Sequence, residues 1–411
     1  MKKQSNTPEI RFQNYEDKWD IEKLINIFGT IRNAFVGTAT PYYVEEGKFY
    51  LESNNVKNGK INYNSQIFIN DEFYEKQRDK WLKTNDIVMV QSGHVGHTAV
   101  IPEELNNTAA HALIVFTDYK KEVNPHFLNY QFQSNSKRKK LDLISTGNTI
   151  KHILASEMKD FKMDFPTFEE QTAVGSLFRT LDDLLSSYKD NLTNYQSLKA
   201  TMLSKMFPKI GQTVPEIRLD GFEGEWELCE INDLADDFQS GGTPKTNVQE
   251  YWDGDIPWIQ SSDLGINCLF EIKVQKSISE KGLENSSAKI IPKDSIAVVT
   301  RVGVGKLAVM RHEYATSQDF LSLSNLKSNI EFTAYLLYRL LQKEVTQLQG
   351  TSIKGITKGE LLSKKVFIPS VPEQQAIGAY FSNLDNLINS HQEKISQLGT
   401  LKKKLLQDMF I

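Results

Sequence analysis

The chain has 411 residues, with 48 Lys and Arg against 52 Asp and Glu, giving a net charge of −4. That length calls for more than one domain, 39% hydrophobic residues suffice for real cores, and a charged fraction of 24% excludes global disorder. The acidity argues against a generic polyanion binder, and two cysteines, Cys229 and Cys268, are too few for a disulfide framework or a cysteine metal cluster.

The N-terminus, MKKQSNTPEIRFQNYEDKW, lacks the apolar run of a signal peptide. No stretch approaches the 18 apolar residues of a membrane span, so a soluble cytoplasmic protein is expected. Residues 1–165 read as a β-rich globular part. Asp86 to Val90 is a short β-branched run bounded by turn residues, and Gly93-His94-Val95-Gly96 follows it as a turn. A short helix fits Pro125–Phe132, and Lys137-Arg138-Lys139-Lys140 is a local basic run. Residues 166–207 then read as one long helix, roughly 60 Å at 1.5 Å per residue. Thr167 and Glu170 form a capping box at its start. Its apolar residues follow a 4, 3 spacing: Val174, Phe178, Leu181, Leu185, Tyr188, Leu192, Tyr195, Met202 and Met206. A 3.5-residue repeat held this long asks for a partner helix.

The chain then repeats itself after the short polar joint 208–212. Pro215-Glu216-Ile217-Arg218 matches Pro8-Glu9-Ile10-Arg11, and Trp226 matches Trp19. Thr243-Pro244 matches Thr40-Pro41, and Trp258-Ile259-Gln260-Ser261 matches Tyr50-Leu51-Glu52-Ser53. Asp294 to Val298 aligns with Asp86 to Val90, and Gly350 with Ile353-Lys354 aligns with Gly147 with Ile150-Lys151. A helix fits Phe332–Leu348, and residues 208–368 read as the second globular part. Residues 369–411 are a second long helix, capped by Ser370 and Glu373, with the stripe Ile377, Phe381, Leu384, Ile388, His391, Ile395, Leu398, Leu405 and Met409. Shifted by 203 positions, 15 of the 42 residues from Pro166 to Phe207 are identical in the second helix. Both stripes break at one place, Lys199 and Lys402. The fold expected is mixed α/β: two tandem β-rich domains, each followed by a long helix, the helices pairing as an antiparallel coiled coil with one globular part at either end.

Catalytic signals are weak. Val302-Gly303-Val304-Gly305-Lys306 resembles a phosphate loop, but Thr300 stands where the first glycine is required and Leu307 where Ser or Thr is required. His94, His97 and His111 lack a cysteine or carboxylate at metal-ligand spacing. There is no nucleophile triad, paired-carboxylate motif or dinucleotide fingerprint, so binding is favoured over catalysis.

Ser240-Gly241-Gly242-Thr243-Pro244, Tyr251-Trp252 with Gly254, Ile256-Pro257-Trp258-Ile259, Asp263-Leu264 and Arg301-Val302-Gly303 resemble a target recognition domain of type I restriction–modification specificity subunits. The run 350–356, then Ile368-Pro369 and Glu373-Gln374-Gln375, resembles that family's entry into its helix. The first half departs from the pattern, with Thr38-Ala39-Thr40-Pro41, Phe49-Tyr50, and Ser92 in the place of Arg301. The resemblance implies a non-catalytic subunit whose recognition domains, 1–165 and 208–368, each read one half of a split target in double-stranded DNA. It implies that the helices 166–207 and 369–411 hold the halves apart and bind two modification subunits, which methylate adenine with S-adenosylmethionine. It further implies that restriction subunits driven by ATP and Mg2+ join them, and that none of these cofactors binds this chain.

Readout in the major groove needs polar side chains at base edges, with cations on phosphates setting the register. The expected DNA contacts in the second half are Arg301 and Lys306 flanking a glycine turn, Thr243 and Lys245 at the Gly-Gly-Thr-Pro turn, and Lys354. In the first half they are Ser92, His94 and Lys151, with Lys137 and Arg138 from the basic run. Helix pairing is expected through Phe178, Leu181, Leu185 and Leu192 against Phe381, Leu384, Ile388 and Ile395. A competing reading, supported by the acidity, is a protein-binding scaffold without a nucleic-acid function. An ATP-using enzyme built on residues 302–306 is a third.

Overall fold

The computed structural model describes residues 7–147, 151–209, 211–347 and 355–411. The chain divides into two compact units, Met1–Lys189 with Glu393–Ile411, and Asp190–Gln392. The division falls inside the two long helices, Phe168–Lys205 and Val371–Asp408. Each unit therefore holds the start of one long helix and the end of the other.

In the first unit a four-stranded antiparallel sheet runs Phe28–Asn33, Leu113–Tyr119, Ile87–Val90, Thr98–Val100. Strand residues alternate between faces, so the sheet divides two cores. Ile87, Met89, Ile114 and Phe116 face the helix Pro125–Gln133 and the long helices, where Val174, Phe178, Met409 and Phe410 are buried with them. Val88, Val90 and Val115 face the opposite core with Leu51, Val56 and Leu82. A second sheet, Ala109–Ala110, Lys48–Leu51, Ile67–Ile69, Tyr43–Val44, closes that side. Asp20–Lys23 pairs antiparallel with Lys162–Phe165, which brings the early chain to the foot of the long helix.

The second unit repeats this plan. Its main sheet runs Ala235–Ser240, Phe320–Leu326, Ser295–Val299, Leu307–Met310, and the smaller one Lys276–Ile278, Trp252–Ile259, Ala315–Thr316. Glu227–Glu230 pairs with Lys365–Ile368. The helix Ile330–Gln347 packs in the core with Phe207, Phe381 and Leu384.

The repeated Glu-Gln pair acquires a physical reason. Arg11 grips Glu170 with two hydrogen bonds of 2.7 Å, and Arg218 grips Glu373 at 2.8 and 2.7 Å. Gln171 accepts from the Asn124 backbone N–H and donates to Pro166 O; Gln374 does the same with Asn329 and Pro369. Asn124 and Asn329 in turn cap the inner helices by accepting from the N–H groups of Phe127 and Phe332. Gly175 and Gly378 permit this approach, since a Cβ at either would lie within 2.8 Å of the capping asparagine oxygen. Of the capping boxes expected at the long helices, the first is thus only half formed. Thr167 does accept from the Glu170 N–H at 3.4 Å, but the glutamates are spent on arginines.

The expected alignment of Asp86–Val90 with Asp294–Val298 is displaced by one residue. Val90 pairs with Leu113 as Val299 pairs with Phe320, so Ile87 corresponds to Ile296 and Asn85 to Asp294. Asn85 and Asp294 both adopt positive φ, 70° and 57°. Strand registers one apart present opposite faces, so the slip would have turned Ile296 out of the core it shares with Phe332.

Within each unit the long helices touch in opposite directions. In the first unit Phe178 stacks on Phe410 with ring centroids 5.7 Å apart, and Asp182 pairs with Lys402 at 2.6 Å. In the second, Tyr195 meets His391 at 5.2 Å, Lys199 pairs with Asp385, and Phe207 meets Phe381 at 6.1 Å. Phe178, Leu181, Phe381, Leu384 and Ile388 are buried, while Leu185, Leu192 and Ile395 are half-buried. The terminal Met-Phe of each copy plugs a core. Phe410 sits among Trp19, Phe127 and Phe178, and Phe207 among Trp226, Phe332 and Phe381.

Candidate nucleic-acid interface

In the second unit the hairpin of Ser295–Val299 and Leu307–Met310 is closed by a six-residue turn, Thr300–Gly305. Gly303 and Gly305 have φ of 92° and 102°, a conformation open to glycine at little cost. The returning chain straps this turn: the Ile356 N–H donates to Thr300 O at 2.7 Å, and the Thr300 N–H donates to Asp319 O at 2.7 Å. Arg301 and Val302 project from it. Val302 is 71% exposed, and Arg301 has no hydrogen-bond or ion-pair partner among the described residues. Beside the turn lies an open cleft of about 900 Å³, lined by Arg301, Gly241, Gln318, Gly355 and Lys358.

The Gly-Gly-Thr-Pro turn forms the other lip. Neither Gly241 nor Gly242 has room for a Cβ, which would fall 1.9 Å from Thr316 Oγ1 or 2.2 Å from Ser287 Oγ. The Trp258 indole N–H donates to Gly242 O at 3.0 Å. Thr243 donates to Gln318, and Lys245 stands exposed beyond it. The structure thus brings Arg301, Thr243 and, through Thr243, Gln318 to one surface. Lys306 is half-buried, and its ammonium donates to Ser261 O at 3.1 Å, so it braces the turn from behind. Lys354 lies outside the described residues. Lys358 and Gln318 carried no sequence signal, because only the tertiary return of two distant segments places them here.

The corresponding turn of the first unit is Gln91–Gly96, with Gly93 and Gly96 both at φ 80°. One strap bond is equivalent, the Ile153 N–H donating to Gln91 O at 3.0 Å as Ile356 does to Thr300; the Gly93 N–H also donates to Lys151 O at 3.1 Å. Ser92, His94 and Lys151 therefore share one end of the unit. Lys151 is paired with the exposed Asp142 at 2.8 Å. Burial first, then Arg138, His94 and Lys57, push the His97 pKa down, which reports a locally positive surface. His97 accepts from the Asn58 N–H at 3.2 Å.

Lys137 requires a correction. It is fully buried, and its ammonium lies 2.6 Å from an Asp164 carboxylate oxygen. Burial lowers its pKa to about 8 despite that partner. The basic run sits on the helix Asn135–Ile144, where neighbours at 100° intervals cannot share a face. Lys137 turns inward, Arg138 is half-buried, and Lys139 and Lys140 are exposed.

His111 is a further polar feature that spacing did not reveal. One ring nitrogen lies 3.4 Å from Glu52 and the other 3.0 Å from Gly37 O, on the segment leading into Thr40-Pro41. Two acceptors on two ring nitrogens favour the imidazolium, and the Glu52 contact raises the His111 pKa. Tyr43 also donates to Glu52, at 2.5 Å. Among the described residues no three His, Cys, Asp or Glu side chains converge as a metal site, and no helix is long and apolar enough to cross a membrane.

The chain is thus an internal duplication, each unit carrying a strapped hairpin turn with its own side chains. The family model of the type I restriction modification DNA specificity domain matches residues 11–195 and 223–400, and the chain belongs to that family. It is 28% identical over 191 residues to the type I restriction enzyme MjaIX specificity subunit of Methanocaldococcus jannaschii, a match that spans 46% of this chain and 44% of that relative. A putative specificity subunit of the same organism, MjaX, is 20% identical over 418 residues, covering 98% of this chain and 95% of the relative. The crystal structure of a type I restriction–modification S subunit from M. genitalium shares the fold, with a TM-score of 0.64 at 16% identity, over 98% of this chain and 99% of that one.

Proposed function

We propose that the chain is the DNA-reading subunit of a cytoplasmic type I restriction–modification complex. The observation that carries the proposal is the pair of strapped turns, alike in length, in the Ile153 and Ile356 straps and in a positive-φ glycine at Gly96 and Gly305, and unlike in side chains: Arg301 and Val302 in one unit, Ser92 and His94 in the other. A protein that reads one split, asymmetric target needs this combination of a shared frame and differing contacts. Arg301 and Lys245, which have no ion-pair partner among the described residues, supply cations in the second unit, with Thr243 and Gln318 as polar groups for base edges. Arg138 supplies a cation in the first, with Ser92 and His94 as polar groups at its turn and Lys151 shared with Asp142. The mild overall acidity is no obstacle, because binding needs only local charge.

The two long helices are the proposed spacer and docking platform. Leu184 and Leu198 on one, and Leu387 and Leu401 on the other, occupy equivalent places and are each 37–44% exposed. Matched apolar side chains suit two copies of one partner, the modification subunit. S-adenosylmethionine then belongs to that partner, and ATP and Mg2+ to restriction subunits. The test is to map methylated adenines in host DNA with and without this chain, its partner genes being present in both. A bipartite motif that vanishes with the chain supports the proposal; a methylation pattern indifferent to the chain refutes it.

A further inference from the structure

The break in the two apolar stripes is a buried polar device, and it is built twice. In the first unit Asp182 accepts from Tyr130 at 2.9 Å through one carboxylate oxygen and from Lys402 at 2.6 Å through the other. In the second, Asp385 accepts from Tyr335 at 2.7 Å and pairs with Lys199. Lys402 and Lys199 also lie over the rings of Tyr130 and Tyr335, 5.3 and 5.5 Å from their centroids. These side chains are shielded from water, with exposures of 7% for Asp182, 14% for Lys402, 11% for Asp385 and 10% for Lys199. Asp and Lys come from different long helices, and Tyr from the inner helix of the unit's own globular body.

We propose that these Tyr–Asp–Lys clusters are register locks that determine the spacer length of the split target. The inference rests on the DNA-reading function proposed above. An apolar stripe of heptads is nearly indifferent to a slip of seven residues, whereas a buried charge is not. Slipping one helix by a heptad would set Lys402 against Gly175 or Lys189, and Lys199 against Gly378 or Gln392. Each alternative leaves a buried ammonium without its carboxylate, which the low-dielectric interior penalises heavily. The tyrosines complete the device. By occupying one oxygen of each aspartate, they fix the carboxylate relative to the globular body, and leave the other oxygen aimed at the lysine. The locks differ in one respect: Lys60 lies 3.8 Å from Asp182, so the first aspartate has a second cation nearby, while among the described residues Asp385 pairs with Lys199 alone.

The test uses the full chain in complex with its modification partner and sequences the methylated adenines. A heptad slip moves a helix by about 10 Å, equivalent to about 3 base pairs of duplex. Lys199→Met and Asp385→Asn are expected to keep both half-sites and add sites whose spacer differs by about 3 base pairs. Lys402→Met is expected to do so more weakly, because Lys60 remains. The charge-reversed pair Lys199→Asp with Asp385→Lys is expected to restore a single spacer, which guards against variants that simply fail to fold. A single unchanged spacer in both Lys199→Met and Asp385→Asn overturns the lock. So does a loss of all methylation that the reversed pair fails to restore. A wild-type complex that methylates no split site would instead remove the function on which the lock depends.

Discussion

At the scale of single residues, the distinction that matters is between cations held by the protein and cations left for a ligand. Lys137 and Lys306 are held, by Asp164 and by the Ser261 carbonyl. Arg301 has no partner among the described residues. If it grips a guanine through two acceptors, Arg301→Ala should cost about 1–3 kcal/mol and relax specificity at one base pair. If it meets only phosphate, the loss should be uniform across sequences, with the salt slope lower by about one. Binding isotherms on single-base-substituted duplexes at several salt concentrations separate these outcomes, and no loss in either respect would remove Arg301 from the interface.

His111 makes a second residue-scale prediction. Its pKa is raised by Glu52, so the stability it contributes is fully present below about 6.5, the value of a free histidine, and is lost as pH rises through the folded value. His126 runs the opposite way: burial lowers it to about 4, so its stabilisation is lost as pH falls below about 6.5. Melting curves of wild type and His111→Gln should therefore differ most at pH near 6 and converge toward alkaline pH. A constant difference across that range would show that Glu52 and Gly37 do not hold a charged ring.

At the scale of elements, the long helices were the most legible part of the sequence. Their stripes, their Pro and Glu-Gln openings and their Met-Phe ends are local patterns, and local patterns survive translation into a helix. What the glutamates bind was not legible, because Arg11 and Arg218 lie more than 150 residues away. The strand register was misread by one, since a short β-branched run carries no internal mark of which face is buried. Lys137 was misread for a similar reason: a run of four cations in sequence becomes several faces once wound into a helix. Of the proposed interface, the two glycine turns and Arg301 could be found from spacing, whereas Gln318 and Lys358 could not. The aromatic plugs yield a stability prediction. Phe410 is 5% exposed and contacts Trp19, Phe127 and Phe178, so Phe410→Ala should cost about 3–5 kcal/mol. Denaturant unfolding measures it; a cost below about 1 kcal/mol, the range of a tolerated core swap, would mean the plug packs loosely.

At the scale of the whole molecule, the chain is a frame used twice. Each unit repeats the four-stranded main sheet, the capped inner helix and a strapped turn, while the residues on the turns diverge. Each unit is proposed to read its own half of the target. The most direct measurement replaces residues 215–355 with the matching segment of another specificity subunit and sequences the methylated sites made by the resulting complex. One half of the bipartite motif is expected to change, while the half assigned to the first unit and the spacer between them stay as they were. A change in both halves, or in neither, would contradict that reading.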